Sequence, residues 1–416
     1  MLYPELTNDR TRRNAQAGLE EGVALAEALP GLEIAGATIV PLKKPDAGKL
    51  FGKGKLAELR ELFTGEDVEL VLIDGPVSPV QQRNLEKIWN VKVLDRTGLI
   101  LEIFSDRART REGVLQVEMA ALSYQRTRLV RAWTHLERQR GGLGFVGGPG
   151  ETQIEADRRA IDDQLNRLRR QLAKVAKTRA LHRQARAKVP YPIIALVGYT
   201  NAGKSTLFNR LTGADVMAKD MLFATLDPTM RQIELPSKMG VGRKVILSDT
   251  VGFISDLPTQ LIAAFRATLE EVLEADLIVH VRDISHPQSA QQAADVAAIL
   301  GDLGVDGDVA RIEVWNKLDL LDPDDQLARI NEAGRHDDIF ALSALSGTGL
   351  DAFIAALEGR LREEILAAEI DLPFAEGRRH AWLHAQGVVE KEHVGDEGWK
   401  LVVRWSAKQA DQFAAL

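Results

Sequence analysis

The sequence predicts an α/β protein, and three neighbouring stretches carry that prediction. Residues 193–197 form a continuous apolar run, the pattern of a strand buried on both faces. Residues 206–211 have the apolar spacing of a helix. Between them, residues 198–205 read G-x-x-x-x-G-K-S, a phosphate-binding loop in the strand–loop–helix context that such a loop requires. That context argues against a chance glycine-rich turn.

The loop supplies backbone and side-chain groups for the phosphates of a nucleotide. Glycines at its two ends let successive N–H groups point at phosphate oxygens. Lys204 places a cation on the β and γ phosphates, and the Ser205 hydroxyl ligates Mg²⁺. The predicted phosphate contacts are Gly198, Tyr199, Thr200, Asn201, Ala202, Gly203, Lys204, Ser205 and Thr206.

A second motif selects the base. Asn316, Lys317 and Asp319 form N-K-x-D directly after a strand-like run. The Asp319 carboxylate accepts hydrogen bonds and matches the adjacent N1–H and N2–H₂ donors of guanine, which adenine lacks. Asn316 can reach the base edge, and the Lys317 stem can cover the ring. A later tripeptide, again after a strand-like run, can offer backbone N–H groups to guanine O6; it is Ser343, Ala344 and Leu345.

Two further segments complete a guanine-nucleotide site. Asp249 opens a D-x-x-G element, in which it holds Mg²⁺ through water and the N–H of Gly252 faces the γ-phosphate. The element is Asp249, Thr250, Val251 and Gly252. Between it and the loop lies a switch segment, Phe223, Ala224, Thr225, Leu226 and Asp227. Thr225 is the predicted second Mg²⁺ ligand beside Ser205, with Thr229 as its rival.

The five motifs predict a GTPase that uses GTP, GDP and Mg²⁺, with Lys204, Thr225 and Gly252 closest to the chemistry. Related enzymes often carry a glutamine after the D-x-x-G glycine to orient the attacking water. Here that residue is Phe253, which cannot hydrogen-bond water, so we expect slow intrinsic hydrolysis and an external stimulus. Asn201 stands where potassium-activated GTPases carry an asparagine, so K⁺ dependence is a further hypothesis.

Composition sets the surrounding limits. The chain has 416 residues and no cysteine, which excludes disulfides and thiolate metal sites and fits a reducing compartment. The N-terminus lacks an apolar signal region, and no apolar run is long enough to span a membrane. The net charge is −7, yet residues 106–189 hold 19 Lys and Arg, 16 of them Arg, against 9 Asp and Glu. A basic segment in an acidic protein indicates either a polyanion contact or a solvated helix.

The predicted domain order is a small α/β domain over residues 1–105, a basic helical arm over 106–190, a P-loop GTPase domain over 191–365 and a short β-containing appendage over 366–416. In the first domain we predict strands at 32–40, 69–74 and 91–94 and helices at 53–62 and 80–89. The run Gly52-Lys53-Gly54-Lys55 lacks the spacing of a P-loop, and a second nucleotide site there remains an alternative. The appendage should contain a hairpin, with residues 387–393 and 399–404 around a turn.

The arm should be an antiparallel, coiled-coil-like pair of helices. The first, over residues 114–130, has an apolar face that places Gln116 and Glu118 elsewhere; its members are Val114, Val117, Ala121, Leu122 and Leu129. The second has a/d spacing at Ile161, Leu165, Leu168, Leu172 and Val175. The glycine-rich residues 141–150 between them form either a disordered linker or a projecting tip.

With these motifs in hand, the chain resembles the HflX family of ribosome-associated GTPases along nearly its full length. The similar stretches are residues 96–104, 116–118, 147–155, 157–159, 223–227, 249–253 and 264–271. The resemblance implies a GTPase that binds the large ribosomal subunit through its rRNA and proteins, using the N-terminal domain and the arm, and that splits or recycles ribosomes. Two alternatives remain: a GTPase of subunit assembly and a nucleotide-gated RNA-binding protein. We expect a monomer in the cytoplasm, with peripheral membrane association left open.

Overall fold

The computed structural model describes most of the chain. The described residues are 1–7, 14–139, 149–186, 191–214, 222–223, 225, 229–236, 243–255, 272–305, 309–361, 366–395, 397–405 and 407–414. In the two long arm helices, side chains are described for residues 111–129, 155–175 and 177. The chain forms two compact units, residues 1–354 and 355–416, which are described separately below. The finer four-part division stays a prediction.

The first unit begins with a parallel four-stranded sheet, in the order β2-β1-β3-β4. Its strands are β1 (Leu2–Leu6), β2 (Thr38–Leu42), β3 (Leu70–Ile73) and β4 (Lys92–Asp95). The helices are α1 (Ala15–Glu27), α2 (Lys53–Gly65), α3 (Pro79–Trp89) and α4 (Arg96–Arg107). One face of the sheet closes over a core in which Phe51 and Phe63 pack against Trp89.

One predicted strand was wrong in its position. Residues 32–37 form no regular element, and the strand covers Thr38–Leu42 instead. Only the later residues pair with a neighbour, because β1 begins at Leu2 and its register places Leu2 opposite Thr38. Strand β1 and helices α1 and α4 were absent from the prediction. Pro4 and Glu5 interrupt the apolar pattern of β1, so the sequence of β1 alone does not predict a strand. The strand is recognised only from its pairing with β2 in the structure.

The arm consists of α5 (Arg111–Gln139) and α6 (Pro149–Arg186). A hydrogen bond joins Gln164 to Glu118, and an ion pair of 2.7 Å joins Arg126 to Asp162, so the described parts run antiparallel. Leu165 and Leu168 of the predicted heptad are buried, and the other three positions are half-buried. The predicted glycine tip lies largely outside the described residues.

The predicted apolar face of α5 needs a correction. Val114 is exposed, whereas Gln116 is fully buried together with Leu115, Val117 and Ala120. The prediction treated α5 as packing on α6 alone. In the structure Val117 and Ala120 belong to a core shared with α4, so the buried stripe is rotated toward the N-terminal domain.

The domain predicted over residues 191–365 is called the nucleotide-type domain below. It has a six-stranded sheet in the order β10-β9-β8-β5-β7-β6, parallel except for β6. Its strands are β5 (Ile193–Gly198), β6 (Thr229–Leu235), β7 (Arg243–Asp249), β8 (Leu277–Asp283), β9 (Ala310–Asn316) and β10 (Ile339–Ala341). Its helices are α7 (Lys204–Thr212), α8 (Ser289–Asp302), α9 (Pro323–Ala333) and α10 (Leu350–Arg360), the last of which crosses into the second unit. The carboxyl ends of the parallel strands share one edge, where ligands bind in such sheets.

The second unit is a small α/β module. An antiparallel sheet has the order β11-β13-β12, formed by β11 (Leu366–Pro373), β12 (Val389–Val394) and β13 (Gly398–Trp405). Helices α11 (Gly377–Ala385) and α12 (Ala407–Ala414) complete it around a core that includes Leu383, Leu401 and Val403. The predicted hairpin is β12–β13. Across the described residues of both units, none of the helices combines the length and the apolar character that crossing a bilayer would need.

Candidate functional site

Two glycines of the phosphate-binding loop are required by close approach as well as by backbone conformation. Gly198 has φ +152°, and a Cβ there would lie 2.1 Å from the carbonyl oxygen of Val281 on β8. Gly203 has φ +89°, and a Cβ there would lie 2.2 Å from Nδ2 of Asn316. Any larger residue would therefore separate the loop from strands β8 and β9, and the loop would lose its position at the sheet edge.

Lys204 begins α7 and lies inside the loop. Its ammonium donates to the carbonyl oxygens of Gly198 at 3.1 Å and Tyr199 at 2.8 Å. Burial lowers the pKa of Lys204 to about 8, although the nearby carboxylate of Asp249 opposes the shift. A buried cation that donates its hydrogen bonds to carbonyl oxygens is suited to receive an anionic group. Thr206 follows it in the first turn of α7 and is half-buried.

Ser205, Thr225 and Asp249 converge on one point at this edge. Asp249 Oδ2 accepts hydrogen bonds from Ser205 Oγ at 2.7 Å and Thr225 Oγ1 at 2.8 Å, and the two hydroxyl oxygens are 2.8 Å apart. The rival Thr229 instead begins β6, where it is paired with Asp249 by backbone register. Of the two candidate threonines, the structure therefore brings Thr225 to the other two side chains.

These three residues fit a divalent metal of the Mg²⁺ type. Within the described part of the chain, no group donates a hydrogen bond to the buried Oδ1 of Asp249. Burial raises the pKa of Asp249, against the opposing effects of Lys204, Ser205 and Thr225. A carboxylate and two hydroxyls are hard oxygen ligands, which Mg²⁺ prefers. A cation beside Asp249 would restore the charge that burial disfavours.

The D-x-x-G segment is tied to the phosphate loop by backbone hydrogen bonds. The N–H of Phe253 donates to the carbonyl of Gly198 at 3.1 Å, and the N–H of Thr200 donates to the carbonyl of Phe253 at 2.7 Å. The Thr250 hydroxyl donates to the carbonyl of Leu196 at 2.6 Å. The two segments are therefore held as a unit, with Val251 buried beside them.

The Phe253 ring is buried in an apolar core with Phe104 and Phe223. Phe104 is in α4 of the N-terminal domain, Phe223 is in the predicted switch segment, and their rings make an edge contact at 4.6 Å. The position that often orients water in related enzymes is thus occupied here by an apolar side chain, buried in the same core cluster as Phe104 and Phe223.

Gly252 allows the D-x-x-G segment to approach the loop, so we expect Gly252→Ala to lower GTP turnover by about 100-fold, the cost of a displacement near 1 Å in an active site. The added Cβ would lie 2.8 Å from Thr200 Cγ2, 2.9 Å from Thr200 Cα and 3.0 Å from Lys204 Nζ. Gly301→Ala in α8 is the matched control, because a Cβ there meets nothing within 4 Å. Equal steady-state turnover in the two variants would contradict the prediction.

The predicted base-binding residues form two connected loops. Asn316 is buried, its Nδ2 donates to the carbonyl of Ala202, and its Oδ1 accepts from the N–H of Ala344, both at 2.9 Å. Asn316 therefore joins the phosphate loop to the Ser343–Leu345 tripeptide. The Asp319 carboxylate accepts a hydrogen bond from Ser343 Oγ and is exposed to solvent, where a base can reach it.

Lys317 has an anchor that the sequence did not suggest. The backbone of Lys317 is in the left-handed region at φ 66°. Its ammonium forms an ion pair with Asp283 at 2.8 Å. Asp283 ends β8 and thereby fixes the direction of the Lys317 stem.

In the tripeptide, Ser343 and Ala344 are buried, whereas the Leu345 side chain is 72% exposed. Asn201 is exposed at φ 58° in the phosphate loop. The predicted residues Ala224, Leu226 and Asp227 lie outside the described residues.

Sequence reasoning missed a polar cluster that joins the N-terminal domain to this site. We call it the junction network; it comprises Glu21, Asp74, Arg96, Tyr199 and Ser255. Arg96 donates to Asp74 at 2.7 Å, to Glu21 at 2.5 Å, and to Ser255 at 2.9 Å (Oγ) and 3.0 Å (carbonyl). Glu21 also accepts from the Ser255 hydroxyl at 2.7 Å and from the Tyr199 hydroxyl at 2.9 Å. Tyr199 belongs to the phosphate loop, and Ser255 lies three residues after Gly252.

The charge of Arg96 is secured by its partners. Burial acts against the cation, but Asp74 and Glu21 outweigh burial and raise the pKa of Arg96 above its ordinary value. The one signal in the sequence was the position of these residues, since Asp95 ends a strand at the carboxyl edge of a parallel sheet and Arg96 follows it directly. The partner Ser255 is 159 residues away, and no local pattern could have indicated it.

The neighbouring Asp95 holds the base of the arm. Its carboxylate caps α4 at the N–H of Gly98 and accepts from the Tyr124 hydroxyl at 2.5 Å and from Arg128 at 2.6 Å. Arg128 also contacts Gln82. Tyr124 and Arg128 are both in α5. Two consecutive residues therefore face in different directions, with Asp95 bonded to the arm and Arg96 bonded to the nucleotide-type domain.

Burial of Lys204 leads to a pH prediction. With a pKa of about 8 in the free protein, Lys204 loses its proton as pH rises past that value, whereas bound phosphates favour the charged form. The affinity for GDP should therefore fall about tenfold between pH 7 and pH 9, with proton uptake on binding. A fluorescent GDP titration measures this. In Lys204→Arg the charge does not titrate, so a decline of equal size in that variant would contradict the assignment.

The fold and the site together define a class of protein. A mostly parallel sheet with a G-K-S loop, a D-x-x-G segment bonded to it and an N-K-x-D segment linked to both is the arrangement of a P-loop GTPase. Four family models match consecutive parts of the chain: GTP-binding GTPase N-terminal over residues 16–105, GTP-binding GTPase Middle Region over 107–186, 50S ribosome-binding GTPase over 193–317, and HflX C-terminal domain over 328–415.

Curated relatives agree along most of the chain. GTPase HflX of Magnetococcus marinus strain MC-1 is 47% identical over 402 residues, which cover 97% of this chain and 90% of the relative. GTPase HflX of Escherichia coli strain K12 is 43% identical over 356 residues, covering 86% of this chain and 82% of the relative. The chain belongs to the HflX family of GTPases. It is a GTP hydrolase that binds guanine nucleotides, and the resemblance inferred from its motifs is confirmed.

A solved structure with a related fold is the crystal structure described as the complex of SsGBP with GDP. It is 23% identical, with a TM-score of 0.49 over 86% of this chain and 96% of that chain. A likeness at this level is too distant to transfer a ligand or a mechanism. The α/β fold class with a P-loop GTPase domain is confirmed by the sheet order and by the family model that covers residues 193–317.

Proposed function

We propose that this GTPase is a cytoplasmic switch that binds the large ribosomal subunit in its GTP state, separates the subunits, and is released by hydrolysis that the ribosome stimulates. Membership of the HflX family and the match to a 50S ribosome-binding GTPase model support a ribosomal partner. The observation that carries the switch is the pair Asp95 and Arg96, through which the arm and the nucleotide-type domain meet at consecutive residues.

Exposed arginines on the arm support contact with rRNA. On the described part of α6, five arginines are exposed: Arg158, Arg159, Arg167, Arg169 and Arg170. Arginine binds phosphates with two parallel hydrogen bonds and stacks on unpaired bases, so it suits structured RNA. The acidic remainder of the chain would repel the same phosphates. This contrast favours contact through the arm over a non-specific contact through the whole surface.

The route from nucleotide to arm follows described contacts. Ser255 follows the D-x-x-G segment and is bonded to Arg96, while Asp95 is bonded to Tyr124 and Arg128 of the arm. A change at Gly252 on binding the γ-phosphate would pass through Ser255 to α4 and then to α5.

The catalytic site is proposed to be incomplete without the ribosome. Because the Phe253 side chain is apolar and buried in the same core cluster as Phe104 and Phe223, it would hold no water for attack on the γ-phosphate. Lys204 would neutralise phosphate charge, and the N–H of Gly252 would contact the γ-phosphate. Ser205, Thr225 and Asp249 would hold Mg²⁺, which neutralises charge on the β and γ phosphates when bound. The missing contribution is an oriented water or an added charge.

The test is GTP turnover with and without purified large subunits at physiological salt. We expect stimulation on the order of 10²–10⁴-fold, the range that a positioned catalytic group supplies. The combined change Arg167→Glu, Arg169→Glu and Arg170→Glu should reduce the stimulated rate at least about tenfold while leaving the basal rate unchanged. The control reverses three exposed charges of the second unit: Arg378, Lys391 and Lys400. Absence of stimulation would refute the proposal.

Two alternatives are separated by further measurements. If the protein acts only in subunit assembly, sedimentation of intact ribosomes with a non-hydrolysable GTP analogue will show no separated subunits. If it is a nucleotide-gated RNA-binding protein, the wild type will bind free structured RNA in a GTP-dependent way that the arm variant loses. If RNA binding and ribosomal stimulation are both unchanged in the arm variant, the exposed arginines of the arm contact only solvent and have no role in binding.

We also expect faster hydrolysis in potassium than in sodium. Asn201 is exposed in the phosphate loop at φ 58°, and we infer that its amide oxygen contributes to binding a monovalent cation beside the phosphates. Rates compared at equal ionic strength in KCl and NaCl measure the effect, and Asn201→Ala should remove the difference. Equal rates for the wild type in both salts would contradict potassium activation.

A further inference from the structure

The second unit contains a side-chain cluster that the GTPase site does not use. The imidazoles of His380 and His384 and the carboxylate of Glu392 each offer one ligand atom, and all three atoms lie within 4.8 Å of one another. His380 Nε2 is 3.0 Å from Glu392 Oε1, and His384 Nε2 is 2.9 Å from Glu392 Oε2. Three potential ligands of one cation therefore meet at a half-exposed surface.

The local fold accounts for this convergence. His380 and His384 are four residues apart in α11 (Gly377–Ala385), so they share one face of the helix. Glu392 comes from β12 (Val389–Val394), which lies beneath that face. The spacing His-x-x-x-His on a helix, followed by a carboxylate from another element, is the arrangement with which several zinc sites are built.

One of the two imidazoles is held in place by aromatic packing. The His380 ring is stacked on Trp399 with centroids 4.1 Å apart and planes inclined by 16°. Trp399 is in turn contacted edge-on by Phe374 at 4.9 Å. This support limits the rotation of the His380 ring and points its Nε2 toward Glu392, so part of the ordering that metal binding requires is already present.

A plain hydrogen-bonded pair is the competing interpretation, and the geometry distinguishes the two. A structural histidine–carboxylate pair needs one imidazole. Here two imidazoles converge, both through Nε2, on the two oxygens of one carboxylate. Imidazole nitrogen suits Zn²⁺, Cu²⁺ and Ni²⁺, whereas Mg²⁺ and Ca²⁺ prefer sites made of oxygen alone.

We propose that His380, His384 and Glu392 form a site for one divalent transition-metal ion of the zinc class. Two imidazole nitrogens and one carboxylate oxygen supply three positions of a tetrahedral shell, and water fills the fourth. The bound ion joins α11 to β12 and thereby stabilises the second unit. It does so independently of the Mg²⁺ that the nucleotide site would take, because the two sites differ in ligand chemistry.

The experiment uses the full-length protein after treatment with a chelator, in excess Mg²⁺ to occupy oxygen-ligand sites. Zn²⁺ titration by calorimetry should give one equivalent that binds at least about tenfold more weakly in His384→Ala and in Glu392→Gln, the loss typical of a removed ligand or its support. His393→Ala is the matched control, because His393 is exposed on the same strand and lies outside the cluster. Co²⁺ in place of Zn²⁺ should give the visible absorption of a tetrahedral ion.

Circular dichroism and basal GTP turnover establish that each variant is folded. Should His384→Ala fail to fold, Glu392→Gln retains the shape of the side chain and answers the same question. The proposal is overturned if the wild type binds Zn²⁺ no more tightly than Glu392→Gln does, or if His393→Ala weakens binding as much as the cluster variants do.

Discussion

Asp319→Asn will exchange the base preference of the nucleotide site. The carboxylate of Asp319 is predicted to accept from two guanine donors, and each hydrogen bond to a charged group contributes about 1.5–3 kcal/mol. Asparagine keeps one acceptor and turns the other into a donor that opposes guanine N2–H₂. We therefore expect affinity for GDP to fall by roughly 10²–10⁴-fold. Xanthosine diphosphate, which carries an oxygen in place of that amino group, should bind more tightly to the variant than to the wild type.

Competition against a fluorescent nucleotide measures both affinities. Ser343 bonds to Oδ1 of Asp319, an acceptor that asparagine retains, so the loop should keep its position. Asp324→Asn is the matched control, because Asp324 is an exposed carboxylate in the first turn of α9 and should leave both affinities unchanged. If the Asp319 variant keeps its GDP affinity and gains nothing for the xanthine nucleotide, the assignment of base selection to Asp319 is wrong.

Arg96→Met will destabilise the first unit by about 3–5 kcal/mol, the typical effect of removing one partner from a buried ion pair. The side chains of Arg96, Asp74 and Glu21 are only 8%, 4% and 13% exposed. Methionine would leave two carboxylates buried without their cation and would also remove the bonds to Ser255. Urea unfolding followed by tryptophan fluorescence and circular dichroism gives the change in the free energy of unfolding.

Arg60→Met is the matched control for this change. Arg60 is exposed on α2, and surface substitutions of this kind usually stay within about 0.5 kcal/mol. A double variant with Glu21→Gln should be less destabilised than the sum of its two single changes, because the side chain that loses the Arg96 cation is then neutral. Additive effects, or a loss no larger than that of Arg60→Met, would show that the junction network does not hold the two domains together.

Asp319→Asn and Arg96→Met test two different parts of the first unit. The Asp319 variant tests which nucleotide the site accepts, and the Arg96 variant tests whether the junction network holds the N-terminal domain to the segment after Gly252. If the proposed route is correct, Arg96→Met will also weaken the ribosomal stimulation of turnover, whereas Arg60→Met will leave it intact. The nucleotide site and the arm would then depend on each other through Arg96, which lies outside the predicted nucleotide contacts.

The sequence by itself determined the enzyme class and the base. Glycine spacing, a lysine and a serine at fixed positions after a buried strand, and N-K-x-D after another strand are local patterns. Each depends only on residues near one another in the chain. The same holds for the absence of a glutamine at Phe253, which is a property of one position. These features could be predicted from the sequence because phosphate and guanine contacts are made by short loops.

The tertiary structure decided how those loops are connected. Asn316 joins the phosphate loop to Ala344, Gln116 is buried where periodicity left it outside, and Arg96 meets Ser255 across 159 residues. His384 likewise meets Glu392 only because α11 lies over β12. Each of these contacts pairs groups whose partners come from distant elements, and buried polar groups are stable only when such partners are present. Local patterns cannot name those partners, because packing alone brings them together.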